Sequence, residues 1–140
     1  MPTEEQTLDR IATFALFADL TEAQLRAIAH ELEEAYYAAG ERVLRRGLQG
    51  SGFYLIVEGR AAVRDGERVV SRLVPGDFFG EISVLLAQPP SADIVAETEI
   101  RCLILPASRL EALLVGHPRL AFRMLQAEAR KLRATTEPRA

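Results

Sequence analysis

Two groups of residues in this 140-residue chain have types and spacing able to do chemistry. The first is the segment Val74-Pro75-Gly76-Asp77-Phe78-Phe79-Gly80-Glu81-Ile82-Ser83-Val84-Leu85-Leu86. Gly76 and Gly80 permit tight turns, Phe78 and Phe79 can bury one side, and Glu81 to Leu86 is long enough for one or two helical turns. A glycine followed by a helix start exposes free amides at the positive end of the peptide dipole, which suits an anionic phosphate. A carboxylate in the first turn also satisfies that dipole unaided, so Glu81 has an ordinary structural explanation as well. The second group is His30, His117 and Cys102. Neither histidine belongs to a metal-ligand spacing or a nucleophile pair, so catalysis is not expected. Cys102 precedes Leu103 and Ile104, which reads as a buried, inert strand position. A lone cysteine cannot close an internal disulfide and fits a reducing, cytoplasmic setting.

The elements that must position the glycine segment follow from periodicity. Leu8, Ile11, Ala12 and Ala15 fall at helical intervals, predicting a helix over Leu8 to Phe17. Thr21-Glu22-Ala23-Gln24 has the capping-box form, with Leu20 and Leu25 placed as a hydrophobic staple. Leu25, Ile28, Ala29 and Leu32 continue one apolar face, and Gly40 punctuates it. Residues 1–39 are therefore expected to form N-terminal helices.

From residue 40 to 105 short runs of Val, Ile, Leu and Phe are broken by Gly, Pro, Asp and Ser, the texture of a β-roll. Strands are expected at Arg42 to Arg45, Phe53 to Val57, Ala61 to Arg64, Arg68 to Leu73, Asp93 to Thr98 and Ile100 to Leu105. Asp65-Gly66 supplies the two positive-φ positions of a two-residue hairpin loop. In residues 106–136 the helical period returns: Leu110, Leu113 and Leu114 form a short helix that Gly116 can end, and Pro118 suits the start of another. On that final helix Leu120, Ala121, Met124, Leu125 and Leu132 make an apolar stripe, which covers either the chain's own roll or a second copy in a homodimer.

Length and composition set the outer limits. A chain of 140 residues, 49% hydrophobic and 26% charged, suits a single domain over 1–140 with one packed core. A net charge of −3 with both signs interspersed leaves no basic stripe, so direct nucleic-acid binding is not expected. An acidic N-terminus and no apolar run of spanning length point to no secretory signal and no membrane span.

With the order of these pieces in place, the chain resembles the cyclic-nucleotide-binding domain family from about Leu16 to Thr136. The resemblance is carried by Leu16-Phe17, Gly40-Glu41 with Val43 and Gly47, Phe53-Tyr54-Leu55-Ile56 with Gly59 and Val63, Gly76-Asp77-Phe78, and Phe79-Gly80-Glu81-Ile82. It implies a mainly β fold with flanking helices: a double-stranded β-helix jelly roll, a short cassette helix between two strands, and C-terminal helices. It also implies a ligand, cyclic AMP or cyclic GMP or another small anion, and no cofactor beyond it. The amides of Gly80, Glu81, Ile82 and Ser83 would face the cyclic phosphate, and the Glu81 carboxylate would accept from a ribose hydroxyl. Val70 and Ser71 would lie near the base. In Arg130-Lys131-Leu132-Arg133-Ala134-Thr135-Thr136, Lys131, Thr135 and Thr136 match where the catabolite-activator branch closes over the purine.

One departure matters. Where the family carries Pro-Arg-Ala or Pro-Arg-Ser, this chain reads Gln88-Pro89-Pro90-Ser91-Ala92-Asp93, placing Pro90 at the arginine and Ser91 and Ala92 beside it. Losing one partner of a buried charge pair costs about 2 to 5 kcal/mol, so cyclic-nucleotide affinity should be low unless Arg60, Arg64 or Arg72 substitutes. The resemblance thus implies a ligand-sensing regulatory domain with a degenerate cassette, without enzymatic activity or a helix-turn-helix, like the sensor half of an activator. The alternative is a protein-interaction or dimerisation module that has lost the nucleotide.

Overall fold

The run Phe53-Tyr54-Leu55-Ile56-Val57 lacks polar alternation because strand β3 (Gly52–Glu58) is covered on both faces. Phe53, Leu55 and Val57 face a helical layer, while Tyr54 and Ile56 face a second sheet, as the two-residue side-chain period of a strand requires. The computed structural model describes residues 2–48 and 52–136; residues 1, 49–51 and 137–140 of the expected 1–140 domain lie outside the described residues.

Around β3 the chain adds β1 (Glu33–Tyr37), β2 (Arg42–Leu44), β4 (Ala61–Asp65), β5 (Arg68–Leu73), β6 (Phe78–Phe79), β7 (Asp93–Ala96) and β8 (Ile100–Pro106). They form two four-stranded sheets, ordered β1-β8-β3-β6 and β2-β7-β4-β5, with antiparallel pairing throughout. The helices are α1 (Glu4–Ile11), α2 (Glu22–Ala29), α3 (Glu81–Leu86), α4 (Ala107–Gly116) and α5 (Pro118–Thr136). The fold is a mainly antiparallel β jelly roll with flanking helices.

Between the sheets Leu44, Ala61, Leu73, Phe79, Ile94, Ile100 and Cys102 meet β3's inner face. Burial pushes the Cys102 thiol up to about 12, so it stays protonated and weakly nucleophilic. On the outer face Leu8, Ile11, Phe17, Ile28, Leu110, Leu120 and Met124 from the helices pack over Leu55 and Leu105. Each such buried side chain contributes roughly 1.5–3 kcal/mol of transfer free energy.

Several local expectations are corrected. The helix expected over Leu8 to Phe17 ends at Ile11, and Ala15–Phe17 is a separate 3-10 turn. Phe14 leaves the helix in an extended conformation and packs over Gly76, where an added Cβ would stand 3.3 Å from its ring. Thr3 caps α1 with Gln6 as Thr21 caps α2 with Gln24. Residues 33–37, placed among the N-terminal helices by sequence, form β1, because Glu33-Glu34-Ala35-Tyr36-Tyr37 gains a full antiparallel ladder with β8 at the sheet edge. The β4–β5 loop is Gly66-Glu67, since Asp65 already pairs with Arg68 and only Gly66 has positive φ. That is the glycine-first pattern of a type II′ hairpin. The strand expected to reach Thr98 ends at Ala96; Thr98 instead accepts the Arg60 amide at 3.0 Å.

Candidate functional site

The site is built from the turn that ends β6. Phe78 and Phe79 point to opposite faces: Phe79 stacks on Tyr54 with ring centroids 4.8 Å apart, and Phe78 lies 5.5 Å from Phe53. Gly80 follows at φ 88°, and a Cβ there would strike the Gly52 carbonyl oxygen. Only glycine satisfies both the left-handed backbone and that close approach. The chain then enters α3, whose first residue, Glu81, is 3% exposed. Ala87 ends α3 in a left-handed conformation, the Gln88 amide donates to the Ser83 carbonyl, and the Ser83 hydroxyl donates to the Gln88 carbonyl.

Between α3, the open end of the second sheet and the last turns of α5 lies a cavity of about 650 Å³. Of the residues singled out by sequence, Gly80, Glu81, Ile82, Ser83, Pro90, Ser91, Ala92, Ser71, Lys131 and Thr135 line it. Val70 and Thr136 do not. Val70 is the extra residue of a bulge between Val63–Ser71 and Arg64–Val69, and it is 43% exposed. The Thr136 hydroxyl donates to the Arg133 carbonyl at 3.1 Å.

Lys131 joins α5 to α3. Its Nζ lies 3.5 Å from Glu81 Oε1 and 3.3 Å from Glu128 Oε1, and 4.8 Å from the centre of the Phe78 ring. Glu81 Oε2 is buried and has no hydrogen-bond partner among the described residues. Burial raises the Glu81 carboxyl to about 7; Lys131 acts against that rise and the neighbouring Glu128 carboxyl adds to it. Glu128 carries no site assignment from the sequence, although its three-residue spacing from Lys131 places both on one helix face.

No arginine is among the described residues that line the cavity. Arg60 and Arg72 both pair with Glu97, at 2.9 and 3.0 Å; Arg64 stands opposite Asp93 and Val69 in the strand register, and its Nε is buried with no hydrogen-bond partner among the described residues. The Asp93 carboxylate is held by the Arg46 amide at 2.8 Å, and the Pro90 carbonyl accepts from the Gly47 amide at 3.0 Å. Among the described residues no group of three His, Cys, Asp or Glu side chains is arranged to hold a metal, and no helix is long and apolar enough to cross a membrane.

Residues 34–117 match the cyclic nucleotide-binding domain family. The chain belongs to that family. It is 42% identical over 85 residues to a cAMP-dependent protein kinase regulatory subunit of Mycosarcoma maydis, covering 58% of this chain and 16% of that protein. The domain spans less than a quarter of the length of the curated relatives it matches, at 12 to 23% of each. Among solved structures it is similar to the Thermus thermophilus catabolite activator protein, with a TM-score of 0.78 and 27% identity over 86% of this chain and 59% of that one. It is also similar to the regulatory subunit of a cAMP-independent protein kinase A from Trypanosoma cruzi bound to guanosine. There the TM-score is 0.73 and the identity 25%, over 84% of this chain and 42% of that one.

Proposed function

We propose that this domain is a ligand-sensing regulatory module, without catalysis or nucleic-acid contacts of its own, whose phosphate cassette is degenerate at Pro90. The carrying observation is the buried Glu81 carboxylate, which faces a cavity lined by Pro89 and Pro90 and by no described arginine. In this scheme Glu81 accepts from a ligand hydroxyl, the Gly80 to Ser83 backbone and Ser91-Ala92 border the group bonded to it, and Ser71, Lys131 and Thr135 border the rest. The cAMP-independent Trypanosoma cruzi relative, solved with guanosine, supports a version of this fold that does not answer to cyclic AMP. Calorimetry with cyclic AMP and cyclic GMP is expected to give weak or undetectable binding, with amide shifts confined to Gly80–Ser83 and Ser91-Ala92 at high ligand concentration. Submicromolar binding of either, a free energy near −8 kcal/mol, would show that another group supplies the missing charge.

A second reading is favoured by α5 and concerns assembly. Leu120 and Met124 are buried in the chain's own core, but Phe122, Leu125 and Leu132 stay 45, 64 and 66% exposed. With Ala129 they repeat at three- and four-residue steps, the seam of a coiled-coil pair. A homodimer through this seam, in a cytoplasmic protein, is therefore proposed, and the same seam would serve an interaction module that had lost its nucleotide. Light scattering should report a dimer that Leu125→Glu with Leu132→Glu converts to monomer. A strict monomer at high concentration removes the idea.

A further inference from the structure

The charge balance of the cavity reaches beyond the family assignment. Its described lining residues carry two carboxylates, Glu81 and Glu128, and a single cation, Lys131. That ammonium is already engaged by both carboxylates, 3.5 Å from one and 3.3 Å from the other. Whether Glu81 is ionised or protonated, the three side chains sum to −1 or to zero and never to a positive charge. The loop after α3 presents the side chains of Pro89, Pro90 and Ala92 to the cavity, which carry no charge, beside the neutral hydroxyl of Ser91. An anionic phosphodiester entering here would leave water and find no uncommitted counter-charge.

Another observation says what the cavity does want. Glu81 Oε2 is buried without a hydrogen-bond partner among the described residues, on a residue that is 3% exposed. A buried carboxylate oxygen in that state calls for a donor, and a sugar hydroxyl supplies one without adding charge. The cavity of about 650 Å³ lies within the size range of small-molecule sites, and Val63, Leu73 and Ile94 give it apolar walls for a base.

We propose that the cavity selects an uncharged ribonucleoside over its cyclic phosphate, and that Glu128 sets this preference by holding Lys131. The assignment rests on the reading of this cavity as the family's ligand site. A ribose hydroxyl donates to Glu81 Oε2, and the end of the sugar that would carry the phosphate lies against the prolines. Discrimination comes from the repulsive side as much as the attractive one, because two carboxylates oppose an anion and leave a neutral ligand unaffected.

The test is calorimetry on the full chain with adenosine, guanosine and inosine beside cyclic AMP and cyclic GMP, with amide shifts locating each ligand. At least one nucleoside is expected to bind about tenfold or more tightly than its own cyclic phosphate. Glu128→Gln, which releases Lys131 from one carboxylate, should narrow that ratio by strengthening the cyclic phosphate. A cyclic phosphate that outbinds its nucleoside overturns the inference while leaving the family reading in place. A ratio indifferent to Glu128→Gln overturns the role given to Glu128. If none of the five ligands moves the cavity amides, the ligand-sensing reading fails together with the inference.

Discussion

Replacing Pro90 by arginine is expected to raise the affinity for cyclic AMP by about tenfold or more, at least about 1.4 kcal/mol. A guanidinium there would give the phosphate a planar, two-pronged donor that Lys131, tied to Glu81 and Glu128, does not provide. The backbone is prepared to accept the change in one respect, since the Pro90 carbonyl keeps its bond from the Gly47 amide whatever the side chain. Loss of the proline ring releases Pro89 from its extended bias, so the gain depends on how well the loop holds the new side chain. Asp93 competes less than its charge suggests, because one of its oxygens is committed to the Arg46 amide. Adding Glu81→Ala should remove much of the gain, since the ribose hydroxyl loses its acceptor. Calorimetry on the three proteins reads both effects. A folded Pro90→Arg protein that binds no cyclic nucleotide would make the interaction-module reading the better one.

Glu81 should also make stability depend on pH, in the sense opposite to most carboxylates. Burial raises its folded carboxyl from 4.5 to about 7, so the folded state holds a proton that the unfolded chain releases. The stabilisation is full below the unfolded value near 4.5 and is lost as pH climbs through about 7. The groups facing Glu81 from α5 are Lys131 and Glu128, and Lys131 moderates the loss by pairing with the ionised form. Glu81→Gln mimics the protonated carboxyl at every pH. The variant should therefore match the wild type near pH 4.5 and exceed it by up to about 3 kcal/mol near pH 8. Denaturant titrations across that range measure the difference, and parallel curves for the two proteins would refute the assignment.

The strands and the glycine segment were legible in the sequence because their signals are local. The Phe53 to Val57 run, the Gly80-Glu81 turn and the Thr21 cap each declare themselves within a few residues. β1 was not legible, because a stretch of Glu, Ala and Tyr becomes a strand only when β8 offers its edge from some seventy residues away. The early end of α1 was hidden likewise, since Phe14 leaves the helix to cover Gly76. Within the site, Glu81 and Pro90 could be named in advance. The grip of Glu128 on Lys131 required knowing that α5 returns over α3 with that face inward.

That return gives α5 two mechanical regimes. Its first half is fastened: Leu120 and Met124 are buried, and Arg123 and Arg119 both reach Asp19, at 2.9 and 3.4 Å. From Ala129 onward every residue to Thr136 is exposed, and the Lys131 to Glu81 contact ties that half to the roll. The tip of the helix is thus a cantilever with a polar stay anchored on a residue of the cavity wall. Whatever occupies the cavity and engages Glu81 alters the tension in that stay, so the stiffness of the exposed helix end changes without any repacking of the core.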